Sequence, residues 1–188
     1  MNLNQYQKQA ITTKIYADEA ALSYLALGLG GESSELFEKI KENRDEITTL
    51  EGDKLQLLAK EIGDVYWYLA GLAQETDQEL GNIYFDYSKD LPVDSKFDNV
   101  VDMLVVETGA VLEVFKKALR DDYTLFVDKK LVPGKFMKMN VAIANLLTIC
   151  EYLANFFEVQ VGTILQQNVD KLASRAKRGT LSGSGDVR

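Results

Sequence analysis

Proline occurs only twice in 188 residues, at Pro92 and Pro133. Proline is the residue most damaging to a helix interior, so its near-absence leaves long stretches free to be helical. Apolar residues recur there at three- and four-residue spacing, the period of a helix with one buried face. The pattern predicts helices over 2–13, 17–43, 52–75, 77–90, 97–120, 135–157 and 159–174. In the third of these, Leu55, Leu58, Ala59, Ile62, Val65, Tyr66 and Leu69 form the apolar side. Gly28, Gly30 and Gly31 fall inside the second helix, where glycine costs stability. Their presence there implies close helix contact or a kink. No series of alternating strands is visible, so the expected class is all-α. The segment from Ala176 onward, rich in glycine, serine and charge, reads as an extended loop.

Composition removes several chemistries. The chain has no histidine and one cysteine, Cys150. Histidine-based triads and histidine-ligated zinc are therefore excluded, as is an intrachain disulfide. Carboxylates, lysines, arginines, hydroxyls or a hard cation must carry whatever chemistry there is. The net charge is −8. Residues 168–188 hold five cations and two anions, giving +3, so residues 1–167 carry −11. An acidic body disfavours nucleic acid, which calls for a basic face. An acidic body with a basic end suits a metal-bound polyphosphate; the simpler reading of that end is a solvated terminus. No apolar run reaches the roughly 20 residues of a membrane span, and residues 1–10 are polar. Together with a single cysteine these features lead to an expectation of a cytoplasmic protein without a membrane partner.

The carboxylates are the sharpest local signal. Glu32 and Glu35 lie in the second helix, and Glu61 and Asp64 in the third. Each pair is spaced three apart, which puts both acids on one helix face. Antiparallel packing of the two helices brings all four together, an arrangement that repels itself unless cations neutralise it. Oxygen-only ligands select hard cations, Mg²⁺ first and Mn²⁺ second. Solvated surface acids are the ordinary alternative. Here Glu61 and Asp64 are flanked by Ile62, Val65 and Tyr66, with Gly63 between them leaving room for close approach.

A second, fainter pattern is an internal repeat. Ile62, Leu72, Ala73, Gly81 and Ile83 recur 81 positions on as Ile143, Leu153, Ala154, Gly162 and Ile164. Leu29, Glu32, Glu38 and Lys41 recur 75 positions on as Leu104, Glu107, Glu113 and Lys116. The offset changes in the loop around 121–134, where insertion is cheap. The implied units are about 15–91 and 96–174, followed by a glycine-rich basic tail, 175–188. In the second unit Ala110, Ala142 and Asn145 stand at the positions of Glu35, Glu61 and Asp64.

Glu32-x-x-Glu35, 25 further residues, and Glu61-x-x-Asp64 resemble the signature of the MazG-like, all-α nucleoside triphosphate pyrophosphohydrolases. Leu27-Gly28-Leu29-Gly30-Gly31 before the first pair and Val65-Tyr66-Trp67-Tyr68-Leu69 after the second fit as well. So do the run from Asn168 to Arg175, then Arg178-Gly179 and Gly183-Ser184-Gly185-Asp186-x-Arg188. The resemblance implies a helical bundle that hydrolyses a nucleoside triphosphate, with Mg²⁺, to monophosphate and pyrophosphate. It implies Glu32, Glu35, Glu61 and Asp64 as metal ligands and catalytic carboxylates, and Asn168, Lys171, Arg175 and Arg178 as phosphate-binding residues. Trp67 and Tyr68 are candidates for stacking on a base, or are core. Family members are dimers or dimers of dimers. About 75 residues interrupt the family pattern here, so the chain resembles such a dimer fused into one polypeptide, one site lost, with further homo-oligomers expected. Two other functions remain open: a non-catalytic helical interaction module, or a sister activity on dUTP or phosphoribosyl-ATP.

Overall fold

The computed structural model describes residues 1–91, 95–121 and 133–181, and among these all regular structure is helical. Among the described residues, seven α-helices run in order: α1 (Leu3–Ala10), α2 (Ala21–Glu42), α3 (Gly52–Glu75), α4 (Leu80–Tyr87), α5 (Phe97–Asp121), α6 (Pro133–Phe156) and α7 (Val161–Arg178). Short 3₁₀ turns at Ile11–Thr13, Asp18–Ala20 and Arg44–Thr49 join some of them. None of these helices alone is long and apolar enough to cross a membrane.

The expected stripe on α3 is buried from Leu58 through Leu69, with Leu55 at its edge. Beyond Val65 the helix is buried nearly all round, at Trp67, Ala70, Gly71, Leu72 and Ala73. A helix buried all round lies at the centre of a bundle; α3 packs on α1, α2, α4, α6 and α7. Helices α2 and α3 are antiparallel. Leu25 meets Gly71, and Gly28 meets Tyr68, so the contacts step in opposite directions along the two chains. At Gly28 an added Cβ would lie 2.0 Å from Cε1 of Tyr68. That glycine lets the tyrosine ring lie against the α2 backbone. Gly30 similarly faces Leu112, so two of the three mid-helix glycines serve close contact, while Gly31 faces open space.

The first helix caps a distant one. Gln7 Oε1 accepts from the backbone N–H of Leu80 at 2.7 Å, and Asn4 Oδ1 from that of Gly81 at 2.7 Å. Two otherwise orphaned donors at the start of α4 are thereby satisfied.

The two halves of the chain repeat local features at fixed spacing. Helices α3 and α6 begin at 52 and 133, and α4 and α7 at 80 and 161, each 81 residues apart. Both intervening turns carry a left-handed residue, Asp77 (φ 54°) and Glu158 (φ 55°). In both, the next amide reaches back to the same carbonyl: Gln78 N to Ala73 O and Val159 N to Ala154 O, each 2.9 Å. Packing follows the same pattern. Helix α2 lies on α3 as α5 lies on α6, α7 lies on α3 as α4 lies on α6, and α2 meets α5.

Helix α7 continues one turn past the predicted end at 174, to Arg178. Ala176, Lys177 and Arg178 are good helix formers, and Gly179 (φ 67°) terminates the helix in a left-handed cap. The amide of Thr180 closes it onto Arg175 O at 2.9 Å. The glycine-rich end beyond 181, and residues 122–132, where the sequence pattern predicts a loop, lie outside the described residues.

Glu158 occupies its left-handed turn without glycine's freedom, at a cost of roughly 1 kcal/mol. Glu158→Gly is therefore expected to stabilise the protein by about 0.5–1 kcal/mol in chemical denaturation.

Candidate metal centre

Antiparallel packing of α2 and α3 places Glu32 opposite Asp64, in the register already set by Gly28 with Tyr68. Glu61 lies one turn before Asp64 on the same face of α3. One carboxylate oxygen from each of Glu32, Glu61 and Asp64 lies within 4.8 Å of the others. Glu61 is buried, with 3% of its surface exposed, and Glu32 and Asp64 are partly buried. Glu35, one turn beyond Glu32, is exposed and outside this group of three. It is close enough to add to the negative potential at Glu32.

Crowding and burial show in the proton affinity of Glu32. Its carboxyl is pushed up to about 8, first by burial and then by the negative charges of Asp64, Glu35 and Glu61, with Lys171 partly offsetting them.

Helix α7 reaches the cluster at Gly63 and Asp64. An added Cβ at Gly63 would lie 3.1 Å from Cβ of Asn168, so the missing side chain permits this approach. Asn168 donates from Nδ2 to Oδ1 of Asp64 at 2.8 Å. Lys171, one turn on, reaches both oxygens of Asp64 at 2.6 Å. Arg175, a further turn along, is buried, with 8% of its surface exposed. Arg178 is exposed and donates to Ser174 Oγ. Thus Asn168 and Lys171, expected at the phosphates, stand directly on a carboxylate, and Arg178 engages its own helix.

Tyr6 is part of this network and was not singled out by the sequence. Its ring is fully buried, and its hydroxyl donates to Oδ1 of Asn168 at 2.8 Å, with Gly63 O at 3.4 Å. This bond fixes the amide so that Nδ2, the donor end, faces Asp64. Burial, then the charge of Asp64, holds the phenol above its ordinary range, so it remains a donor. Its only sequence signal was an apolar-face position on a short helix. The partner lies 162 residues away, beyond any local spacing rule. Tyr6→Phe leaves a buried Asn168 oxygen short of its donor and is expected to cost about 1–2 kcal/mol in urea unfolding.

Of the two aromatic candidates, Trp67 is core: it is buried and donates from Nε1 to Ala10 O at 3.2 Å. Tyr68 is only partly buried and borders exposed Tyr24, their rings 6.0 Å apart. A cavity of about 290 Å³ lies between α3 and α7, lined in part by Gln56, Lys60, Gln167 and Lys171. A larger one, about 550 Å³, lies beside Tyr66, Tyr84 and Glu151; none of the clustered carboxylates lines either cavity.

The described residues form an all-helical protein in which α2, α3 and α7 bring together three carboxylates that could hold a metal ion, an asparagine and a lysine. The chain belongs to the same family as the Gene 37 protein of Mycobacterium phage L5, with which it is 37% identical over 93 residues, covering 44% of this chain and 79% of that protein. No protein-family model and no solved structure matches the chain.

Proposed function

We propose that the chain is a MazG-like pyrophosphohydrolase, splitting a nucleoside triphosphate, ribo or deoxy, into monophosphate and pyrophosphate. The observation that carries this reading is the junction at Asp64: a three-carboxylate cluster from the first half of the chain, met by Asn168 and Lys171 from the second. The donor set fits the expected cation, since oxygen-only carboxylates suit Mg²⁺ or Mn²⁺. Mg²⁺ held by Glu32, Glu61 and Asp64 would neutralise phosphate charge and acidify a water.

The remaining work falls to the chain itself. Glu35, exposed beside Glu32, sits on the solvent side, where a further carboxylate can take up a proton. Lys171 supplies a cationic donor for the departing phosphates, while Arg175, one turn on, is buried behind it. Exposed Tyr24 and partly exposed Tyr68, their rings tilted by 38°, offer aromatic surface for a base.

The architecture suits an internal duplication, packed as a pseudo-dimer with one site retained. The matching 81-residue spacing, the paired left-handed turns and the exchanged packing of α4 and α7 support it. On this reading neither half holds a complete site. The test is purified full-length protein with each of the eight common ribo- and deoxynucleoside triphosphates and dUTP, with and without Mg²⁺. Equimolar monophosphate and pyrophosphate, dependent on Mg²⁺, is the expected result. Absence of Mg²⁺-dependent turnover across the panel rejects the reading.

A further inference from the structure

We propose that Lys171 is a built-in cation that competes with the metal for Asp64 and turns to the substrate's phosphates when displaced. The proposal rests on the metal centre described above and specifies how that site is regulated. Lys171 Nζ sits 2.6 Å from both oxygens of Asp64, and Asn168 adds a third contact at Oδ1. Both partners are well shielded, their side chains 16% and 18% exposed. In such surroundings an ion pair is screened little by water or salt. A cation that coordinates Asp64 therefore competes with Lys171 and Asn168 for its oxygens.

Lys171 has somewhere to go. Its side chain also lines the cavity of about 290 Å³ between α3 and α7, together with a second lysine, Lys60. A lysine stem is flexible and its ammonium is not tied to one bidentate geometry, unlike arginine. Released from Asp64, Lys171 would stand with Lys60 around a space that suits polyphosphate. The consequence is coupling. Metal alone must leave Lys171 without Asp64, whereas metal arriving with a triphosphate gives Lys171 a new anionic partner. The site then favours the metal–triphosphate complex over free metal, by reciprocal linkage.

The test measures Mn²⁺ binding to the full chain by electron paramagnetic resonance, without nucleotide. Lys171→Met is expected to bind Mn²⁺ roughly tenfold more tightly than wild type, because an occupant worth a charge-assisted bond has been removed. The same variant is expected to hydrolyse triphosphate more slowly, so the two readouts move in opposite directions. Lys177→Met removes the same charge from an exposed position on α7 and should change Mn²⁺ affinity less than twofold. Lys171→Arg, which can still grip Asp64, should bind Mn²⁺ no more tightly than wild type. Circular dichroism confirms that each variant is folded; should Lys171→Met fail to fold, Lys171→Gln takes its place. Mn²⁺ affinity in the Lys171→Met protein equal to or weaker than in Lys177→Met overturns the proposal and leaves the metal centre standing. No Mn²⁺ binding in any of the four proteins overturns the metal centre itself, and this proposal with it.

Discussion

Asp64→Asn is expected to lower Mg²⁺-dependent triphosphate hydrolysis by on the order of a thousandfold while leaving the helical fold intact. The carboxylate is the meeting point of the site, touched by both Asn168 and Lys171. An amide of nearly the same shape keeps the packing but removes the charge that would hold a cation. Charge stabilisation by a bound metal contributes several kcal/mol to such a reaction, which sets the size of the loss. Lys171, deprived of its carboxylate, becomes a partly buried cation with a weaker partner, so some stability is lost as well. Steady-state kinetics and circular dichroism on the same preparation separate the two effects. Full activity in the variant would remove Asp64 from the reaction.

The second large effect concerns pH and Glu32. Its carboxyl has an ordinary value of 4.5 and is pushed up to about 8 in the folded chain. Between those values the native protein keeps a proton that the unfolded chain has lost. Stability contributed by this group is therefore full below about 4.5 and falls as pH rises toward 8. Glu32 is only partly buried, so the loss is discounted for solvent screening to on the order of 2 kcal/mol. Glu32→Gln removes the charge and should make the metal-free protein more stable than wild type at pH 9, with little difference at pH 5. Guanidinium unfolding at the two pH values provides the check. Mg²⁺ should restore wild-type stability at pH 9 and do less for the variant, since a ligand of the native state stabilises by mass action. A wild-type stability that rises between pH 5 and pH 9 relative to Glu32→Gln would contradict the crowding of these carboxylates.

How much of this was legible in the sequence differs from residue to residue. The bounds of α3, 52–75, follow directly from its apolar stripe. The spacing of Glu61 and Asp64 likewise puts both on one face before any tertiary contact is known. Helix ends were less readable. The fourth helix begins at Leu80 rather than 77, because Asp77 adopts the left-handed turn that closes α3. The second begins at Ala21 after a 3₁₀ turn, and the last runs on to Arg178, ahead of the Gly179 cap, because its charged residues are still good helix formers. The spacing of Glu35 from Glu32 correctly placed it one turn on, but helical phase turned it toward solvent. Long-range pairings were out of reach. That Lys171 rests on Asp64, and that Tyr6 orients Asn168, depends on how α1 and α7 pack against α3. Gly63 was the one local hint, a gap on α3 between two acids that Asn168 fills.

The carboxylate cluster is tested as a metal centre by a crystal of the wild-type protein grown with millimolar Mn²⁺ and measured for anomalous scattering. A strong anomalous peak is expected among Glu32, Glu61 and Asp64, with oxygen ligands at about 2.0–2.3 Å and Lys171 turned away from Asp64. No peak there, with Lys171 still on both oxygens of Asp64, would contradict it.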